Sequence, residues 1–275
     1  MSWQSAYQVR YIACNVHNSV LSNPMTHPAA VRPWYRRSWA IAPLLLLALA
    51  FIGYSLPPYL TMDVSRSRIA PPPGVPGYYA ALVGHVLFGS TAMITACLQV
   101  WPWLRREHPA AHRRLGLFYI FGGVLPAGAM GLTIGALSPF GPVIRASNVV
   151  LAVVWLTVTM TGFRAGRRRS WIEHRRWMTR SIVLTFSVIT NRVWAVIWFI
   201  VLMPQLNTTF GGNETLMVQT IAGLSGWLGW VIPLVVCEWR LERSALRAES
   251  GDVLGPRPRE IRTRSGRRCG AAAAP

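Results

Sequence analysis

The chain contains no lysine. All 28 of its basic residues, histidine aside, are arginine, set against nine Asp and Glu for a formal net charge of +19. Charged residues make up only 13% of the chain, about half of what a soluble domain needs to face water. Cysteine is sparse. Cys14, Cys97, Cys237 and Cys269 form no CxxC pair, so the sequence offers neither a disulfide framework nor a zinc ribbon. There is no HExxH, no carboxylate cluster, no phosphate-binding glycine loop, and no Ser or Cys nucleophile with a base and an orienting partner. Zinc hydrolase, nucleotide-phosphate and triad chemistries are thereby disfavoured. Carboxylates are also missing from the interior of every long apolar run.

What the chain has instead is hydrocarbon. Hydrophobic residues reach 52% and the mean hydropathy is +0.32. Six runs are long enough to cross a bilayer core of about 30 Å at about 1.5 Å per residue. They are Trp39–Pro57, Ala80–Trp103, Leu115–Leu137, Val143–Phe163, Trp177–Met203 and Thr215–Val236. Trp39, Trp101, Trp103 and Trp177 stand near their ends, where indole prefers the lipid–water boundary. The fold class read from this pattern is all-α, an integral membrane bundle of six transmembrane helices over residues 39–238. An unpatterned segment, 1–38, precedes it, and a basic, Pro- and Gly-rich tail, 239–275, follows it and is expected to be disordered. "SPFGP" at Ser138–Pro142 reads as a tight turn, Pro204–Asn213 as a polar loop, and Arg68–Gly77 as an extended proline-rich loop.

Arginine sets the orientation. Twenty-three of the 28 fall in the N-terminal segment, in the loops after the second and fourth spans, and in the tail. The opposite side holds Arg66, Arg68 and, at the rim, Arg145. The positive-inside rule then places both termini in the cytoplasm and the protein in the cell (inner) membrane. Because the arginines lie between and after apolar runs, they read as topology determinants that meet anionic head groups, not as a nucleic-acid surface. "RRSW" before the first span resembles an export signal, and Met25 is an alternative start; an uncleaved anchor accounts equally for the charges.

Polar residues inside such spans carry the information. His85, Gly89, Ala92, Ala96 and Gln99 fall on one face of the second span, and His174, Met178, Ser181, Thr185, Val188 and Arg192 on one face of the fifth. An intramembrane Arg costs at least about 2.5 kcal/mol unless it meets protein, water or an anion. We therefore group His85, Arg145, Asn148, Asn191 and Arg192 as an outer polar pocket. The alternative is a set of interhelical hydrogen bonds. The third span is glycine-rich, with GxxxG at Gly131–Gly135, and reads as a closely packed central helix.

One motif occurs twice. "AAHRRLG" (Ala110–Gly116) and "IEHRRWM" (Ile172–Met178) are offset by sixty-two positions, and the same offset aligns Arg105–Arg106 with Arg167–Arg168. Spans two–three and four–five thus read as parallel hairpin repeats. Each box opens a helix whose N-terminal dipole already repels cations, so an anion is the natural complement: a lipid phosphate, the nearby Glu107 or Glu173, haem propionates or an anionic substrate. His112, Arg113, His174, Arg175, Gln99 and Arg180 form the inner candidate set, as haem ligands or anion contacts.

Together the boxes resemble an uncharacterised family of bacterial multi-pass membrane proteins, a domain of unknown function. The likeness covers about Trp39–Glu238, with His85, Gln99, His112, Arg113, Gly116, His174, Arg175, Trp177, Met178, Arg180 and Arg192 as matching positions. It implies architecture and no activity. A looser likeness is to two-haem b-type transmembrane cytochromes, which would make His112 and His174 an inner ligand pair for a b-type haem. His85 lacks a second outer histidine. Three readings stay open: a haem- or quinone-linked redox protein, a small-molecule or anion transport or binding protein, and a non-catalytic assembly or lipid-organising protein.

Overall fold

The computed structural model describes residues 41–253, and side chains as far as 246. The expected N-terminal segment, Cys14, Cys269 and the end of the tail lie outside them. Every regular element among the described residues is helical: α1 (Ala42–Ser55), α2 (Pro57–Leu60), α3 (Tyr78–Val100), α4 (Pro102–Glu107), α5 (Pro109–Tyr119), a π segment (Ile120–Val124), α6 (Leu125–Ala136), α7 (Pro142–Arg167), α8 (Trp171–Leu202) and α9 (Glu214–Val253), with 3₁₀ turns at Val64–Arg66 and Met203–Gln205.

Among the described residues, five helices have the length and apolarity to cross a membrane: α3, the continuous rod α5–π–α6, α7, α8 and α9. The first expected span is shorter than it reads. α1 has 14 residues, about 21 Å at 1.5 Å each. Pro57 and Pro58 lack the N–H groups that would carry its ladder on, so a separate turn, α2, starts there. At the other end the sixth helix runs past Val236 to Val253, so the first part of the tail expected from residue 239 is helical.

Punctuation is chemical at each joint. Gly77 (φ 81°) and Gly141 (φ 94°) stand immediately before α3 and α7 in a region that L side chains avoid. Pro109 and Pro142 open α5 and α7, where a missing N–H costs nothing. The SPFGP turn is closed by Arg145, whose Nε donates to Ser138 O at 2.6 Å.

α3, the α5–α6 rod, α7 and α8 form a four-helix ring in which sequence neighbours pack antiparallel; α9 lies against α7 and α8, and α1 against α3. The core is Ala92, Ala96, Tyr119, Val124, Trp155, Leu184 and Trp230. The rod approaches α3 closely at Gly123, where a Cβ would sit 2.9 Å from Ala92 Cα. This up-down arrangement puts α4, which follows α3, and the arginine-bearing ends of α5, α7, α8 and α9 at one end of the bundle.

Candidate functional site

Tyr119 Oη lies 2.7 Å from Ser181 Oγ, and these residues are 62 positions apart in sequence. That is the offset of the His-Arg-Arg boxes and of the helix starts Pro109 and Trp171. The repeat in the sequence is therefore a register in space. α5 and α8 run the same way on opposite corners of the ring, in step. His112 and His174 sit seven residues, about 10 Å, above the Tyr119–Ser181 contact, at the Arg-rich end. They are within electrostatic reach of one another, and Arg105 acts on His112 as well.

Each box is fixed by its neighbours. Gln99 Nε2 donates to His112 O at 2.9 Å, so the polar end of α3 grips the first box by its backbone. His174 Nδ1 donates to Gly162 O of α7 at 2.8 Å. The ring also lies against Gly166, where a Cβ would come within 2.8 Å of Nδ1. His112 Nδ1 is buried with no hydrogen-bond partner among the described residues. Neither α5 nor α8 has a side-chain cap on its first turn. Arg113 and Arg175 are exposed beside the boxes. Arg180 is already committed: it makes a bidentate pair with Glu238 of α9, with Nη2–Oε2 at 2.7 Å, and lies over the Trp177 ring at 4.5 Å. Glu238 stands just beyond the expected sixth span, where the sequence marks it as a boundary residue and not as an intramembrane partner.

Below the boxes lies a closed hydroxyl network. Tyr119 reaches Thr185 Oγ1 at 2.8 Å as well as Ser181, and Thr159 Oγ1 lies 2.6 Å from Ser181 Oγ. Trp155 Nε1 donates to Thr185 Oγ1 at 3.1 Å. Tyr119, Thr159 and Ser181 have no exposed surface. Ser181 and Thr185 stood on the predicted face of the fifth span; Tyr119, Trp155 and Thr159 were missed. The register offset is the signal that would have found Tyr119.

The outer set divides by depth. Trp230 Nε1 donates to Ser147 Oγ at 3.1 Å, Asn148 packs on Gly135, and Asn191 packs on Gly229. These contacts put Asn148, Asn191, Arg145 and Arg192 near one level, the end of the bundle away from the boxes. Both arginines are exposed there. His85 lies deeper, its Nδ1 donating to Ala127 O at 2.8 Å beside Gly131. The face of α8 that is buried at Ser181 and Thr185 is open by Val188 and Arg192, since Asn191 is what α8 presents to α9 at that level. Asp63, in the loop before α3, binds Ser65 and Arg66.

No curated protein and no solved structure matches the chain. A family model described as "Predicted membrane protein (DUF2306)" matches residues 82–240, from the first turns of α3 to the arginine-bearing end of α9. It takes in both boxes, Gln99, His85 and the Arg180–Glu238 tie, and leaves α1 outside, so the likeness begins later than Trp39. The chain, whose regular elements among the described residues are all helical and include five apolar helices of membrane-crossing length, is matched over more than half its residues and belongs to this family of multi-pass membrane proteins.

Proposed function

We propose that the paired His-Arg-Arg boxes clamp an anionic group, a phosphate or a carboxylate, at the Arg-rich face of the membrane. The observation that carries this reading is the buried, unpartnered Nδ1 of His112 where two boxes converge. Two imidazoles and at least Arg113 and Arg175 share one end of the bundle, beside two helix N-termini whose dipoles are also positive. Burying an unpaired ring nitrogen costs roughly 1–3 kcal/mol, and like charges crowd one another; one anion, bound by Nδ1 in its N–H form, relieves both. His112 donates to it through Nδ1–H; His174, whose Nδ1–H is held by Gly162 O, donates through Nε2–H as an imidazolium, and Arg113 and Arg175 donate from the rim. In the cell this face is the cytoplasmic one of the inner membrane, as the arginine bias requires.

Two sources supply such a group, a lipid phosphate and a soluble anion. Binding of radiolabelled inorganic phosphate, measured in phosphatidylcholine nanodiscs, should be saturable and should fall at least about tenfold in His112→Asn and in Arg175→Gln. Loss of that binding when phosphatidylglycerol is added marks the lipid as the natural occupant; retention marks the soluble anion. Equal binding by all variants overturns the clamp.

A haem- or quinone-linked redox role is the second reading, favoured by one specific arrangement. His174 and His85 each give Nδ1–H to a backbone carbonyl at 2.8 Å, which leaves Nε2 as the ligating nitrogen, as in histidines that hold metals. The hydroxyl network fills the bundle two turns below His112 and His174, so a b-type haem would be confined to the Arg-rich end. Absorption spectra before and after dithionite decide it: a Soret band lost in His174→Ala supports haem, and a featureless spectrum after haem-sufficient expression removes it.

A further inference from the structure

A second surface lies on the outward side of α5, away from His112. A cleft of about 600 Å³ is lined by Glu107, His108, Pro109, Ala110, Arg114 and Leu115. It contains one carboxylate and one guanidinium, and among the described residues these make no ion pair with each other or with anything else. Trp101 and Trp103 lie beside it, ring centroids 4.9 Å apart and planes tilted by 39°, and Trp103 meets the His108 ring edge at 4.5 Å; indole is expected at the lipid–water boundary. From Arg114 the same face of the rod continues into the membrane through Phe118 and Phe121, which are 54% and 51% exposed. Gly122 leaves room for the Phe118 ring, since a Cβ there would come within 2.8 Å of it. Phe121 meets Phe163 of α7 edge-on at 5.4 Å.

We propose that this cleft and the aromatic stripe below it bind one phospholipid with a zwitterionic phosphoethanolamine head group. Arg114 takes the phosphate, Glu107 takes the primary ammonium, and the acyl chains lie along Phe118 and Phe121. Opposite unpaired charges in one cleft match a head group that carries both signs. A purely anionic head group meets the Glu107 carboxylate, and a quaternary ammonium has no N–H to give it.

Native mass spectrometry of the full chain, with phosphatidylethanolamine, phosphatidylglycerol and phosphatidylcholine of identical chains, reads the retained lipid directly. Phosphatidylethanolamine should be retained about fivefold over the other two, about 1 kcal/mol. Glu107→Gln should erase that preference while retention of phosphatidylglycerol holds or rises. Arg114→Gln should weaken all three. Glycerophosphoethanolamine, the head group without chains, should not displace the lipid even in large excess. Equal retention of the three lipids, a preference that survives Glu107→Gln, or displacement by the chainless head group each overturns the proposal. Both substituted side chains are exposed, so the variants keep the bundle intact.

Discussion

Tyr119 binds the two halves of the ring through a single oxygen. Its hydroxyl meets Ser181 and Thr185 of α8, and Trp155 of α7 closes the set. Interhelical hydrogen bonds in membranes average about 0.6 kcal/mol each. Tyr119→Phe, which removes two of them without emptying the volume, should therefore destabilise the protein by about 1 kcal/mol; denaturant unfolding in detergent checks it, and an unchanged midpoint would strip the network of its stabilising role. Arg169 presents the reverse case. It holds φ 61° in the turn between α7 and α8, where Ser170 N donates to Ala165 O at 3.0 Å. A side chain in that region costs about 1–2 kcal/mol, so Arg169→Gly should raise the unfolding midpoint, although glycine returns some of the gain as unfolded-state entropy. His85, Gln99, His112 and His174 were legible in the sequence because a polar residue on an apolar helix announces itself. Tyr119 and Trp155 were not, because each is amphipathic and fits a lipid boundary as well as a core.

Between helices, contact depends on what is absent from the side chain. Gly123 and Gly89 look alike in sequence, yet a Cβ at Gly123 meets Ala92 of α3 while Gly89 has nothing within 4 Å. Gly123→Ala should destabilise by about 1–3 kcal/mol through overpacking. Gly89→Ala should be neutral or stabilising through helix propensity. Parallel thermal melts of the two variants separate a packing glycine from an incidental one. The tie between α8 and α9 is ionic. Arg180, with 17% of its side chain exposed, and Glu238 hold each other in a bidentate pair. Replacing either with Met leaves the partner charge stranded; replacing both removes the two charges together. The double variant should be more stable than either single one, and a double-mutant cycle giving no coupling would make the pair incidental.

At the scale of the molecule, the arginine count and the helix directions agree. α1 begins near the Arg-rich end, where Leu44 O faces Cys97 Sγ at 4.0 Å, and α9 reaches the same end through Glu238. Membrane-impermeant thiol labelling of intact cells tests this. Thr208→Cys, in the loop before α9, should react from outside, and Arg168→Cys, in the turn before α8, only after permeabilisation. The opposite result would invert the topology and place the His-Arg-Arg boxes outside.

The amino-acid sequence by itself determined the membrane class, the positions of five of the spans and the repeat of sixty-two residues, because length, apolarity and arginine bias act locally along the chain. It misjudged the first span, whose end depends on how two consecutive prolines interrupt a ladder, and the depth of His85 relative to Arg192, which depends on where neighbouring helices start. Only the tertiary structure decided that the repeat is a register, since a shared offset becomes a contact only when two parallel helices stand in step on opposite corners of one bundle. That packing brings His112 and His174 to the same end and leaves one ring nitrogen without a partner, and no periodicity in one helix can state what another helix places across from it.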